Sequence, residues 1–248
     1  MYGMVLSRKL RDLAMQDFHM CRILSIKNFC YTEHKQVIEN FFVLAEKGKI
    51  PHKDSKGHLD GWGIGWYKEN IAKLYKSGIS VAEEKEKFFS LLEEIKETKI
   101  LIVHFRKSAW KTTNSPKNSH PFKYKNILFA HNGTIYNYEK ILSQIKPRRV
   151  SILDSEAFFY LILSMDEENL KGKFKKAVEE IKNKCNYSSL TCVFSDGENL
   201  YAYRSFTKLK DYYTLYYTKT NNSFLLCSEP IDEDLNWKIL KKEKLFVI

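Results

Sequence analysis

"DFHMCRILS" (residues 17–25) places Met20 and Cys21 directly ahead of Arg22 and the apolar pair Ile23 and Leu24. Read on its own, the stretch is the start of a buried strand, and a cysteine inside a strand behaves as a small apolar core residue. A cysteine at the first position of a chain is a different chemical object, because its thiol then has an α-amine beside it. Which of the two Cys21 is depends on what the rest of the sequence brings to it.

The totals set the bounds. With 248 residues, 44% of them hydrophobic, the chain can bury one substantial core, and from residue 21 onward it reads as one domain, with residues 1–20 set apart as a leader. No apolar run approaches the length of a membrane-spanning helix. The first twenty residues hold a basic cluster, Arg8, Lys9 and Arg11, without the apolar stretch of a secretory signal. The five cysteines, at positions 21, 30, 185, 192 and 227, form no CxxC pair and read as reduced thiols, which predicts a cytoplasmic protein. Lys and Arg number 41 against 30 acidic residues, a net charge of +11 that raises the question of nucleic acid. The lysines, however, alternate with glutamates, as in "EEKEKFF" (83–89) and "LKGKFKKAVEEIKNK" (170–184), and no RNP, zinc-finger or helix-turn-helix pattern accompanies them. They read as a solvated surface, so no membrane partner is expected and nucleic acid is not the favoured one.

Along the chain, Leu6, Leu10 and Leu13 have weak helical spacing, and "CRILSI" from Cys21 is strand-like. Val37, Ile38, Phe41, Phe42 and Ala45 line one face of a helix that stops near Gly48. "GWGIGWYK" (61–68) and "IAKLYKSG" (71–78) are two strands joined by a turn at Glu69-Asn70. An amphipathic helix carries Phe88, Leu91, Leu92 and Ile95 inward, and "KILIVHFR" (99–106) is a buried strand. After an irregular loop, 107–121, "NILFAHNG" (126–133) predicts a strand ending in a tight Asn-Gly turn. Helical stretches follow from "YNYEKILSQI" (136–145) to about residue 183, with a break near Asp166, and the last third is strand-rich. Strands at both ends with helices between them predict two stacked sheets with helices outside.

Four short polar stretches stand out in apolar settings. Besides Cys21 there is Arg106, leaving the end of a buried strand, where its planar fork suits either a ligand carboxylate or a structural ion pair. Asn132 and Gly133 read either as a turn or as neighbouring donors, one side-chain amide and one backbone N–H, facing a developing oxyanion. Asp154 opens a helix, with Glu156 close behind, as a cap or as a carboxylate that receives an ammonium group.

Taken together and in this order, "MCRILS" (20–25), "DGWGIGWY" (60–67), "VHFRKSA" (103–109), "NSHPF" (118–122), "FAHNGTI" (129–135), "DSEAFF" (154–159) and "CSEP" (227–230) strongly resemble the class II glutamine amidotransferases, in particular members without a fused synthase domain. The resemblance spans about residues 20–232. It implies an α+β fold, the four-layer αββα sandwich of the N-terminal-nucleophile (Ntn) hydrolases with two stacked, mainly antiparallel sheets. It implies that Cys21 is the nucleophile at a mature N-terminus, where a partly neutral α-amine serves as base for its own thiol. Either translation starts at Met20, with that methionine then removed, or residues 1–20 are a cleaved pro-segment; the first is favoured.

The resemblance further assigns Asn132 and Gly133 to the oxyanion, Arg106 to the substrate α-carboxylate and Asp154 to its α-ammonium. Arg22 supports the nucleophile, and His104, His120 and His131 shape the site. The glycines of "DGWGIGWY" are assigned to close backbone packing. The histidine spacings match no metal pattern, so neither metal nor other cofactor is expected. The implied reaction releases ammonia from glutamine by way of a γ-glutamyl thioester on Cys21, with a separate ammonia-accepting synthase as a possible partner. One departure stands out: Ala109, followed by Trp110 and no glycine, occupies a position where the family usually has a hydroxyl or amide residue. That favours, as an alternative, hydrolysis of γ-glutamyl peptides or conjugates. A third reading is a basic binding module on an Ntn scaffold without activity.

Overall fold

The computed structural model describes residues 20–50, 57–108 and 113–248. The Leu6–Leu13 spacing and the Ala109-Trp110 departure lie outside the described residues. Strand β1 (Arg22–Cys30) runs into helix α1 (Tyr31–Lys47), followed by the hairpin β2 (Trp62–Lys68) and β3 (Ile71–Ser77), helix α2 (Lys85–Ile95) and β4 (Glu97–Phe105). Next come β5 (Phe122–Tyr124), β6 (Ile127–Asn132), helices α3 (Asp154–Ser164) and α4 (Leu170–Lys184), and strands β7 (Thr191–Ser195) and β8 (Leu200–Tyr203). Strands β9 (Tyr216–Lys219), β10 (Phe224–Cys227), β11 (Lys238–Ile239) and β12 (Leu245–Val247) complete the chain. They form a 7-stranded sheet of order β11-β9-β10-β1-β4-β2-β3 and a 5-stranded sheet of order β12-β8-β7-β6-β5. Every pairing is antiparallel.

Period-2 alternation sorts the side chains into layers. In the larger sheet, Leu24, Ile26, Leu101, Val103 and Phe105 face α1 and α2, meeting Val37, Ile38, Phe41, Phe88 and Leu92. In the smaller sheet, Phe129, Cys192 and Phe194 face α3 and α4, meeting Phe158, Phe174 and Ile181. The opposite faces of both sheets meet each other through Ile23, Ile100, Ile102, Leu128, Ala130, Val193 and Leu226. The order is therefore helices, sheet, sheet, helices: the four-layer αββα sandwich that the sequence predicts. No described helix is long and apolar enough to cross a membrane.

Two glycines of β2 set how closely the layers approach. A Cβ on Gly63 would collide with the backbone carbonyl of His120, and one on Gly65 would lie 2.9 Å from both Leu128 and Pro121. The strand can thus press against the 119–122 segment and β6 only because these positions lack side chains. The expected Glu69-Asn70 turn is present, with both residues at positive φ, as a two-residue hairpin requires. The expected Asn132-Gly133 turn is not. Strand β6 instead pairs with β7, Asn132 opposite Thr191, and Gly133 lies so tightly against the Ser189 carbonyl that any Cβ would overlap it. The reason is physical: a distant partner strand, with its ladder of hydrogen bonds, outweighs the local preference of one dipeptide. The "YNYEKILSQI" stretch also differs, forming a 3-10 helix over Tyr138–Gln144 in place of an α-helix.

This architecture brings three chain ends together. The start of β1 lies opposite the end of β4, Arg22 beside Phe105, and the end of β6 in the other sheet meets Cys21 across the sandwich.

Candidate active site

Cys21 precedes β1 and is 5% exposed. Its backbone N–H donates to Asn132 Oδ1 at 2.8 Å, and its thiol approaches the Lys107 carbonyl at 3.8 Å. Burial pushes the thiol up to about 11, against the opposing pull of the Arg106 and Arg22 charges. Near neutral pH it is therefore a thiol, and nucleophilic attack needs a base. With Oδ1 committed to Cys21, the Asn132 Nδ2 is a fully buried donor that has no partner among the described residues. Unpartnered buried amides are costly, so a donor left open beside a cysteine points to a ligand acceptor.

Arg22 is wholly buried behind Cys21. It donates to the Cys21 carbonyl at 2.9 Å and to the Lys49 carbonyl, and it pairs with Glu229 at 2.6 Å. His58 Nδ1 donates to the Met20 carbonyl at 2.6 Å. Gly48 fills the gap between these side chains: a Cβ there would lie 2.8 Å from both Arg22 Nε and His58 Nε2.

Arg106 leaves β4 and is equally well buried, but its contacts are of another kind. Nη1 reaches the Asp60 and Thr113 carbonyls at 3.3 and 3.5 Å and Asn114 Oδ1 at 3.2 Å. Nη2 donates to Ser108 Oγ at 3.0 Å and Thr113 Oγ1 at 2.8 Å. Every one of these acceptors is neutral. Asp154, at the first turn of α3, accepts the Ile135 N–H at 2.7 Å, and burial pushes its carboxyl up to about 6. Glu156, in the same first turn, accepts instead from the Val150 and Ser151 N–H groups and faces Arg149 at 3.6 Å, so it closes a loop.

A cavity of about 350 Å³ joins these groups. Cys21, Arg106, Gly133 and Asp154 line it, with Tyr136, Tyr138 and Ile152 at its apolar side. Larger, shallower depressions elsewhere on the surface hold none of the site residues. The histidines divide. His131 Nε2 donates to the Ser189 carbonyl at 3.0 Å, so Nδ1 accepts from Ser155 Oγ at 2.9 Å; burial lowers the ring to about 4. His120 lines the cavity, whereas His104 lies behind it and stacks on His120 with ring centroids 4.3 Å apart. Burial lowers both, His104 to about 3, leaving neutral rings that are feeble bases. No group of three or more His, Cys, Asp or Glu residues converges as a metal site among the described residues.

The family model for class-II glutamine amidotransferases matches residues 20–235. The chain belongs to this family. Among curated relatives of this amidotransferase, an uncharacterized protein of Methanocaldococcus jannaschii is 34% identical over 166 residues, 61% of this chain and 44% of its own. The probable glutamine amidotransferase DUG3 of Saccharomyces cerevisiae is 31% identical over 118 residues, 42% of this chain and 32% of its own. The matched stretch thus spans less than half of either relative. Among solved structures, a glutamine aminotransferase class-II domain protein from Silicibacter pomeroyi superposes with a TM-score of 0.64 at 20% identity, covering 92% of this chain and 94% of its own. The glutamine phosphoribosylpyrophosphate amidotransferase of B. subtilis superposes with a TM-score of 0.68 at 16% identity, covering 92% and 47%. These likenesses establish the fold as that of the Ntn-hydrolase amidotransferases.

The fold brings together Cys21, Asn132, Gly133, Arg106 and Asp154, all singled out from sequence, and sets Arg22 behind Cys21. Sequence reasoning missed His58, Glu229 and the Ser108–Thr113–Asn114 cradle around Arg106. Glu229 lies in the quoted "CSEP" stretch, where an acidic residue beside an apolar strand end was the available signal. His58 sits in a polar loop with no periodicity to mark it.

Proposed function

We propose that this amidotransferase hydrolyses the side-chain amide of glutamine through a γ-glutamyl thioester on Cys21, in the form of the chain that begins at Cys21. The observation that carries the reading is the Asn132 side chain, whose Oδ1 holds the nucleophile's nitrogen while its buried Nδ2 has no partner. A buried donor left open beside Cys21 supports the reading that it meets the carbonyl oxygen that gains charge as Cys21 Sγ attacks. Such a donor is worth roughly 2.7–4 kcal/mol in the transition state. Gly133 N–H is the second donor of the pair.

The steps balance as follows. The thiol proton passes to the neutral α-amine as Sγ bonds to the amide carbon. The same proton then goes to the departing nitrogen, and ammonia leaves. Water adds to the thioester, giving up a proton to the amine, and that proton passes to sulfur as glutamate departs. Arg106 holds the α-carboxylate and Asp154, ionised, the α-ammonium. A base other than the buried histidines is required, because a thiol near 11 does not ionise unaided. While Met20 is attached, the Cys21 nitrogen is an amide and supplies none. The ammonia passes to water or to a separate acceptor protein.

A second reading, γ-glutamyl conjugates with an apolar leaving group, is favoured by the Tyr136, Tyr138 and Ile152 wall of the cavity. Comparing kcat/KM for glutamine with that for γ-glutamyl amides of increasing apolar size decides between the two.

The test of the main reading is glutamate release by two proteins, one with residues 1–20 retained by intact mass and one beginning at Cys21. Turnover by the second alone is the expected result. Equal turnover by both overturns the terminal-amine mechanism, and no turnover with any γ-glutamyl amide overturns the reading.

A further inference from the structure

Around the Met20–Cys21 peptide the structure builds more than a nucleophile needs. His58 is completely buried, and its Nδ1–H donates to the Met20 carbonyl at 2.6 Å. The Cys21 nitrogen is two bonds from that oxygen, so standard bond lengths place it within about 5 Å of His58 Nδ1, the span of one bridging water. The ring cannot swing away. Its backbone N–H is tied to the Ala45 carbonyl at 2.6 Å, and Gly48 is packed against Nε2 so closely that a side chain at position 48 would strike it. Burial, and then the Arg22 charge, hold the ring neutral.

We infer that His58 is a positioning residue for the amino end of the nucleophile: in the chain beginning at Cys21, its Nδ1–H anchors one water in the space of the Met20 carbonyl oxygen, and that water donates to the lone pair of the Cys21 amine. The inference rests on the reading that the amine is free. A neutral amine has a lone pair to accept such a bond; the cationic neighbours oppose an ammonium that would turn the water round, so the contact favours the neutral form. The thiol proton reaches nitrogen by way of this water, which hands on one of its own protons as it takes that of sulfur.

The neighbouring charges act with it. Among the described residues, Arg22 from β1 and Arg106 and Lys107 after β4 face this end of the site and disfavour an ammonium; the Lys107 Nζ donates to the Gly57 carbonyl at 3.3 Å, beside His58. Asp60, ahead of β2, opposes them. Glu229 is engaged by Arg22, Asp154 faces Arg106, and His120, His131, Tyr213 and Cys227 are the remaining titratable groups nearby. Both sheets and all the described α-helices come from residues after Cys21, so the protein beginning there retains the fold.

The experiment titrates the amine directly. Protein beginning at Cys21 and labelled with [13C]cysteine is followed by NMR, the Cys21 Cα resonance being assigned by its loss in Cys21→Ser. The wild-type amine is expected to titrate at or below the ordinary range of about 7.7–8.0. His58→Leu is expected to raise that value by about one unit, a tenfold change in proton affinity. His58→Asn, whose amide N–H reaches close to the Nδ1 position, is expected to stay near wild type. His58→Gln, whose amide falls near Nε2, is expected to resemble the leucine variant and replaces it should that variant not fold. The acid limb of kcat/KM for glutamine is expected to move with the amine while KM stays constant. An unchanged titration in the leucine or glutamine variant, or an asparagine variant displaced as far as they are, overturns the proposal. Displaced titration in a protein that hydrolyses no glutamine upholds the role of His58 and removes glutamine as the substrate; turnover with an unmoved acid limb does the reverse.

Discussion

Arg22 and Arg106 lie on either side of Cys21, and both are almost completely removed from water, yet they are held in opposite ways. Arg22 is bound to the Glu229 carboxylate and to two backbone carbonyls, so its charge is neutralised within the fold. Arg106 is surrounded by hydroxyls, carbonyls and one side-chain amide; among the described residues no carboxylate bonds to it directly, and Asp60 and Asp154 act on its charge only from beyond bonding distance. A buried cation without an anion is costly to fold. The neutral cradle of Ser108, Thr113 and Asn114 keeps that cost bearable while leaving the charge for a ligand. Equal burial therefore leaves one arginine with its charge neutralised by a carboxylate and the other with its donors held only by neutral groups. The partners decide, not the depth.

The comparison can be broken at either arginine. The largest expected effect is on stability at Arg22. Arg22→Met leaves Glu229 without its cation, and breaking a buried pair from one side costs about 3–5 kcal/mol. Urea unfolding is expected to register that loss, and Arg22→Met combined with Glu229→Gln to regain much of it. A fully stable single variant would mean that Arg22 is not a structural ion. Arg106→Lys is the next in size and of the other kind. A lysine cannot present two parallel donors to a carboxylate. About a hundredfold rise in KM for glutamine is expected, with kcat changed much less and unfolding free energy altered by at most about 1 kcal/mol. Loss of stability without a change in KM would erase the distinction between the two residues.

What was legible in the sequence follows the same division. Local features could be read directly. Positive φ at Glu69 and Asn70 is what that turn dipeptide demands, and the alternation in β1, β4 and β6 announces two-faced strands. The residues that line up around Cys21 were legible through their order along the chain, which resembled a family. What could not be read depends on contacts between distant segments. Asn132-Gly133 looks like a turn until β7 arrives to pair with β6, nearly sixty residues later. Arg22 finds Glu229 more than two hundred residues away, and His58 has meaning only through the Met20 carbonyl. No periodicity or dipeptide preference encodes such encounters, because each is fixed by how two sheets stack.

The smallest expected effect extends the comparison to the anion at the other end of the cavity. Asp154, unlike Glu229, has no cation bonded to it, and burial raises its carboxyl to about 6 from an ordinary value near 3.9. Two consequences run in opposite directions with pH. Ligand binding needs the ionised form, so 1/KM for glutamine is expected to climb as pH rises through about 6 and to level off above it. Stability runs the other way. A carboxyl raised on folding holds its proton more tightly in the folded state, so its contribution is complete below the unfolded value near 4 and is lost as pH rises through about 6. Asp154→Asn lacks that slope. The variant's unfolding free energy is therefore expected to gain on wild type between pH 4 and pH 7, by something on the order of 1 kcal/mol once solvent screening at the cavity is counted, as read from urea unfolding. Its KM is expected to be high and flat with pH. A variant that loses ground over the same interval would mean that Asp154 is already paired in the free protein, and the cavity would then hold one open charge, on Arg106, in place of two.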